Sequence, residues 1–153
     1  MLLCKIGFTA EMVEVFQAMK AYTSIVEKYQ DESTTKPDPC RLSNQRNFVQ
    51  HRLLSLLPAR KLDQDFRKSH PVYEICRLAG LIFGVGVIFP LPAQTAPLPT
   101  LVKLLQAELQ ESNFESDWWF PDAVGVLIWV LTLGGSRRQA CPTGYGLWLR
   151  SAA

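Results

Sequence analysis

The sequence has few of the residues that metal sites and acid–base sites use. It holds two histidines and four cysteines among its 153 residues. No two cysteines have the C-x-x-C spacing of a zinc or redox site, and two histidines do not complete such a set. We therefore expect no metal ion and no other cofactor. The N-terminus lacks the pattern of a signal peptide, so we interpret the cysteines as reduced, mostly buried thiols of an intracellular protein.

The sequence also lacks a hydrophobic run long enough to cross a membrane. Its most apolar segments, 78–89 and 123–133, hold twelve and eleven uncharged residues, whereas a spanning helix needs about 20. Pro90 and Pro92 prevent the first segment from continuing as a helix. We expect both segments to lie in the core of the protein. The alternative is a small helical membrane-associated protein that uses these two segments as anchors.

Charge is sparse, and no charged residue lies between Arg77 and Lys103. The content of 20% charged and 48% hydrophobic residues is typical of one globular domain and excludes disorder of the whole chain. Residues 41–77 carry eight Lys or Arg against three acids, an excess of five. Because acids are interleaved and no DNA-binding motif is present, we interpret this segment as a solvated surface and expect no direct DNA contact.

Hydrophobic periodicity predicts helices and no good strand. Thr9 is the predicted N-cap of a first helix, which ends in the loop 31–39. A second helix is predicted over residues 43–57, followed by a polar surface loop over residues 58–70. In this second helix the predicted buried residues are Phe48, Val49, Leu53, Leu56 and Leu57, and those facing water are Gln45, Arg46 and Arg52.

Three more helices complete the prediction. The third begins with Pro71 in its first turn and ends before Pro90, and the fifth covers residues 123–133. The fourth begins near residue 100, with Leu101, Leu104, Leu105 and Leu109 buried and Lys103, Glu108 and Glu111 in water. The fold class is therefore all-α, an irregular bundle or array of about five helices joined by Pro-rich loops. Residues 1–135 form the helical domain and residues 136–153 an irregular tail.

Three glycines, Gly80, Gly84 and Gly86, lie within the third predicted helix. Glycine inside a helix costs roughly 0.5–1 kcal/mol relative to alanine. We therefore expect a neighbouring helix or a ligand to approach closely there, with tight helix packing the favoured interpretation. A phosphate-binding loop is excluded, because no strand precedes the glycines.

The side chains that could carry catalysis are each interpreted as structural or solvated. Cys76 and His70 are six positions apart and predict a buried thiol and a surface imidazole rather than a nucleophile with its base. The other candidates are His51, Glu108 with Glu111, Glu115 with Asp117, and the aromatic run Trp118, Trp119 and Phe120. We expect no enzyme activity and no catalytic, cofactor-binding, metal-binding or DNA-binding residue.

Residues 73–92, YEICRLAGLIFGVGVIFPLP, carry a family resemblance. The segment resembles the signature of the fungal-specific transcription factor regulatory domain, the helical region of fungal binuclear zinc cluster transcription factors. The matching residues are Tyr73, Glu74, Cys76, Arg77, Leu78, Ala79, Ile88, Phe89, Pro90, Leu91 and Pro92. Residues 49–58 resemble the preceding helix of that family, and residues 127–135 a later helix, so the resemblance covers roughly residues 9–135.

The resemblance implies a non-catalytic regulatory domain in the nucleus. Such a domain works through protein partners, self-association or an effector pocket between helices. Two departures qualify the expectation. The closely spaced cysteines of the family's zinc cluster are absent, so no DNA-binding role passes to any residue here. After Gly135 the family continues with further helix, whereas residues 136–153 show no periodicity. We therefore expect a truncated member, a divergent paralogue or a mis-joined gene model.

Overall fold

The computed structural model describes residues 8–30, 38–70, 72–90, 97–112 and 128–132. Within these ranges every regular element is a helix and none is a strand, so the predicted all-α fold is confirmed. The elements are α1 (Ala10–Gln30), α2 (Pro39–Ser55), a 3₁₀ turn (Ala59–Lys61), α3 (Gln64–Ser69), α4 (Tyr73–Phe83), a π-helical turn (Gly84–Ile88) and α5 (Leu98–Glu111). Residues 128–132 are also helical.

Polar side chains set where the first two helices begin. The hydroxyl Oγ1 of Thr9 accepts a hydrogen bond from the backbone N–H of Met12 at 3.1 Å, which confirms the predicted N-cap of α1. Helix α2 begins at Pro39 rather than at residue 43. The carboxylate of Asp38 accepts from the N–H of Cys40 at 3.0 Å, and proline suits a first helical position. This cap starts α2 at the last residue of the predicted loop 31–39.

The predicted surface loop over residues 58–70 is wrong, because the segment contains the 3₁₀ turn and α3. Asp63 begins α3 by accepting from the N–H of Gln64 at 2.8 Å. Phe66 anchors the helix: its ring meets the ring of Tyr73 edge to face at 5.3 Å and stacks on that of His70 at 4.2 Å. A six-residue helix with one apolar anchor has no periodicity to detect.

Helices α1 and α2 run antiparallel. Near the start of α1, Glu14 forms an ion pair with Arg52 near the end of α2. Further along α1, Tyr22 lies near Arg46, which precedes Arg52 on α2: burial raises the pKa of the Tyr22 phenol, and the Arg46 guanidinium lowers it by less. Gln45, Arg46 and Arg52 are all half-buried, so the prediction that these three side chains face water is wrong.

Helices α2 and α4 are also antiparallel and approach closely at two glycines. A methyl group placed on Gly80 would lie 3.0 Å from Cδ2 of Leu53, and one on Gly84 would lie 2.9 Å from Cδ1 of Leu53. The predicted tight helix packing is thus confirmed at these two positions. Nothing lies within 4 Å of a methyl group placed on Gly86. At the end of the π turn the N–H of Phe89 donates to the carbonyl of Gly84 at 2.8 Å.

Helix α4 is the central element of the core, with nine of its eleven residues buried. Its apolar side chains pack against the inner faces of α1, α2 and α5, and Trp129 and Val130 join the same cluster. Segment 78–89 therefore lies mostly within the core, as predicted. For the second apolar segment only residues 128–132 are described.

Three leucine and phenylalanine side chains predicted to be buried are exposed. Phe48 is 52% exposed, Leu57 51% and Leu104 48%. Phe48 and Leu104 each precede a fully buried residue, Val49 and Leu105. Consecutive residues of a helix point in directions about 100° apart around its axis. Because Val49 and Leu105 point into the core, Phe48 and Leu104 do not. The inner face of α2 consists of Val49, Leu53 and Leu56.

Several predictions concern residues outside the described ranges. They are Pro71, most of the Pro-rich linker and of helix 123–133, Gly134 and Gly135, Glu115 and Asp117, Trp118, Trp119 and Phe120, and the tail 136–153.

Candidate functional site

The connection between α2 and α3, which we call the corner, consists of residues 56–62. The first turn of α4 holds it in place. The hydroxyl of Tyr73 donates to the backbone carbonyl of Leu57 at 3.0 Å, and Oε2 of Glu74 accepts from the N–H of Ala59 at 2.9 Å. These two bonds fix the backbone on both sides of Pro58. They attach the corner to the first turn of α4.

A mostly buried ion pair supports the corner. Nε and one terminal nitrogen of Arg77 donate to Oε2 and Oε1 of Glu74 at 2.8 and 2.7 Å. The two side chains are only 10% and 14% exposed. Buried charges are tolerated when they are paired and hydrogen-bonded. Glu74 meets both conditions, because its carboxylate accepts from Arg77 twice and from Ala59 once.

Cys76 and His70, considered above as a nucleophile and a base, occupy structural positions. Cys76 is fully buried, and burial raises the pKa of its thiol far above the ordinary value. A thiol in such surroundings stays protonated and unreactive. His70 stacks on Phe66, and its Nδ1 lies 3.1 Å from the carbonyl oxygen of that residue. His51 is exposed on α2, as predicted.

The outer side of α2 carries a line of exposed residues that we call the ridge: Phe48, His51, Leu54 and Leu57. The first three are spaced by three residues, so they are neighbours on the helix surface, and Leu57 follows in the corner. Leu54 is 66% exposed, more than any other large apolar side chain among the described residues, and Phe48 and Leu57 are each about half exposed.

The chain around the ridge is basic. Residues 39–62 contain five Lys or Arg and no Asp or Glu. Two of these five already have partners: Arg52 is paired with the exposed carboxylate of Glu14, and Cζ of Arg46 lies 4.9 Å from the ring centroid of Phe89. The other three, Arg41, Arg60 and Lys61, are exposed. They lie beyond the two ends of the ridge, at the start of α2 and in the 3₁₀ turn of the corner.

Two buried polar atoms between α2 and the π turn have no hydrogen-bond partner in the described part of the chain. They are Nε of Arg46 and Oε1 of Gln50, one helical turn apart. Oε1 of Gln50 would lie 3.3 Å from a methyl group on Gly84, so it already fills the space beside that glycine.

Glu108 on α5 is half-buried, which corrects the prediction that it is fully solvated. Burial raises the pKa of its carboxyl above the ordinary value of 4.5. Glu74 and Glu111 raise it further, while Arg77 and Arg67 lower it. The folded state therefore favours the protonated form of Glu108 more than the unfolded state does.

Replacing Glu108 with Gln is expected to stabilise the protein near neutral pH. Because the folded pKa is raised, the native state binds more protons than the unfolded state between the two pKa values, so stability falls as pH rises through that window. The amide of Gln does not ionise, so the variant does not lose stability as pH rises through this window. Urea unfolding at about pH 7 and about pH 4 should show an advantage of Glu108→Gln that shrinks in acid. At neutral pH, Glu11→Gln in the first turn of α1 should have the opposite sign, because it removes a negative charge from a helix N-terminus.

None of the helices in the described part of the chain is both long enough and apolar enough to span a membrane. Among the same residues, no group of three or more His, Cys, Asp or Glu is placed to hold a metal ion. Comparison of the chain with protein-family models, with curated proteins and with solved structures finds no match. The resemblance of residues 73–92 to the fungal regulatory domain therefore stays a prediction.

Proposed function

We propose that the protein is a non-catalytic helical regulatory domain, linked to transcription regulation, that acts through contacts with other proteins. One observation carries the proposal. The polar residues of segment 73–92 on which the resemblance rests, Tyr73, Glu74 and Arg77, are used to hold the corner, and Cys76 is packed in the core. A segment used in this way specifies a folded surface rather than a reaction.

The surface that this packing presents also supports a binding role. The ridge exposes apolar side chains beside the defined backbone of the corner, and polar and basic residues surround it. Exposed apolar side chains within a polar rim are typical of protein–protein contacts. By the resemblance, we expect these contacts to take place in the nucleus.

A reporter experiment tests the proposal. The full chain, fused to an unrelated DNA-binding domain, is expected to change transcription from a reporter severalfold relative to that DNA-binding domain alone. A matched fusion of Leu104→Ala, which alters an exposed residue of α5 away from the ridge, should behave like the unaltered chain.

Cell fractionation provides an independent measurement. The unfused protein is expected in a nuclear pool that high salt extracts. Either a reporter that does not respond to the fusion or a protein that only detergent releases would contradict the proposed function, and the second result would favour the membrane-anchor alternative.

A further inference from the structure

We propose that the ridge is the docking site for an acidic, amphipathic helical segment of a partner protein. The inference rests on the proposed function, because it identifies the surface and the partner chemistry of the same interaction domain. Three features of the molecule lead to it: the spacing and exposure of the ridge, the charge of the chain around it, and the rigidity of the corner at its end.

The spacing of the ridge suits a helical partner. Phe48, His51 and Leu54 follow one another at three-residue intervals along α2, and Leu57 prolongs the line beyond the end of the helix. A partner helix that lays its apolar face along such a line contacts it with residues spaced i, i+3 or i+4, and i+7. The exposed fractions of Phe48 and Leu54, 52% and 66%, leave most of this apolar surface to be covered.

Charge selects an acidic partner. The exposed basic residues Arg41, Arg60 and Lys61 lie beyond the two ends of the ridge, and no acidic residue occurs from position 39 to position 62. Carboxylates on the polar flanks of a partner helix would face these cations, and such complementarity speeds association and excludes basic competitors. A second copy of this chain fits poorly, because pairing two ridges would bring like charges together.

The corner reduces the cost of binding. Leu57 has its carbonyl bonded to Tyr73, and the 3₁₀ turn that carries Arg60 and Lys61 is closed by the N–H of Lys61 donating to the carbonyl of Pro58 at 2.9 Å. Ordering flexible segments opposes association, so a surface that is already fixed binds more tightly than a mobile one. The buried pair of Glu74 and Arg77 thus prepares one end of the docking site.

A lipid surface is the less favoured occupant. Interfacial helices insert a broad apolar face by about 5–10 Å into the headgroup region. The ridge is one side chain wide, and the exposed residues beside it on α2 are polar: Asn44, Asn47 and Ser55. The inner face of α2 is committed to the core through Val49 and Leu53, so it cannot turn outward without unfolding the protein.

The test measures binding of the full chain to a fluorescent synthetic peptide by anisotropy. The peptide is a helix with leucines at i, i+3 and i+7 and glutamates on its other faces. A control peptide has the same composition with the leucines scattered. Leu54→Ala is expected to weaken binding by about tenfold, whereas Leu104→Ala, a leucine of similar exposure on α5, should leave it unchanged. Circular dichroism of both variants should match that of the unaltered protein, since neither side chain is buried.

A second matched pair tests the charge argument. Lys61→Glu is expected to weaken binding severalfold and to reduce its dependence on salt, whereas Lys103→Glu on α5 should do neither, although it changes the net charge equally. Vesicles containing phosphatidylserine should bind less than the peptide.

Three results would overturn the docking site: equal binding of the two peptides, equal effects of Leu54→Ala and Leu104→Ala, or preferential binding to the vesicles. If the reporter responds to the full chain but Leu54→Ala leaves that response intact, the proposed function stands and the assignment of the ridge as the docking site is wrong. If the reporter never responds, the proposed function itself fails.

Discussion

Glu74→Ala is expected to lower the free energy of unfolding by about 3–5 kcal/mol, because it leaves the charge of Arg77 buried without a partner. The same change removes the acceptor of the Ala59 N–H, so the corner also loses a hydrogen bond to α4. Domains of this size are stable by about 5–15 kcal/mol, so the variant should unfold at much lower urea concentration than the unaltered protein.

A second i,i+3 ion pair provides the matched control. Lys68 and Asp65 on α3 have the same spacing as Arg77 and Glu74, but their side chains are 75% and 89% exposed and their charged atoms are 4.0 Å apart. Asp65→Ala should therefore change the free energy of unfolding by no more than about 0.5 kcal/mol. Equal losses for Glu74→Ala and Asp65→Ala would show that burial of the first pair has no energetic consequence.

The double variant Glu74→Leu with Arg77→Met separates the charge effect from the corner. It removes both buried charges and keeps similar volume, so it should be more stable than Glu74→Ala alone. The double variant still lacks the acceptor of the Ala59 N–H, so its free energy of unfolding should remain lower than that of the unaltered protein by about 1–3 kcal/mol. If the double variant is as unstable as the single one, the corner rather than the unpaired charge accounts for the loss.

The long helices could be predicted from the sequence because their apolar spacing is a local signal. Helix α1 begins directly after its predicted N-cap, and α4 together with the π turn covers residues 78–88 of the segment 78–89 that is predicted to lie in the core. What could not be predicted depends on single contacts. Helix α2 begins early because the side chain of Asp38 caps it. Helix α3 is held by the edge-to-face contact between the rings of Phe66 and Tyr73. Neither contact leaves a repeating pattern in the sequence.

The candidate site was missed for two reasons. Its bonds join distant residues: Tyr73 reaches Leu57 and Glu74 reaches Ala59 across sixteen and fifteen positions. Two of the four ridge residues, Phe48 and Leu57, are predicted to be buried because they are apolar, although the buried neighbours decide which side of α2 faces inward. The absence of acids from position 39 to position 62 and the three-residue spacing of Phe48, His51 and Leu54 were the available signals.

Replacing both Gly80 and Gly84 with Ala is expected to destabilise the protein by about 1–4 kcal/mol, as measured by urea unfolding. Each added methyl group would meet a different methyl of Leu53, at 3.0 and 2.9 Å, so no single rotation of that side chain relieves both contacts. Leu53 is 1% exposed and has little room to move. Overpacking of this kind costs about 1–3 kcal/mol per site, and the better helix propensity of alanine returns only about 0.5–1.

Gly86→Ala is the matched control, because nothing lies within 4 Å of the added methyl group. Its stability should be unchanged or higher by up to about 1 kcal/mol. Leu53→Ala tests the mechanism. Alone it should cost about 2–5 kcal/mol through the cavity it leaves. Combined with alanine at positions 80 and 84, it should cost less than the sum of the separate losses, because the new methyl groups occupy part of that cavity. Strict additivity would mean that Leu53 is not what the two glycines accommodate.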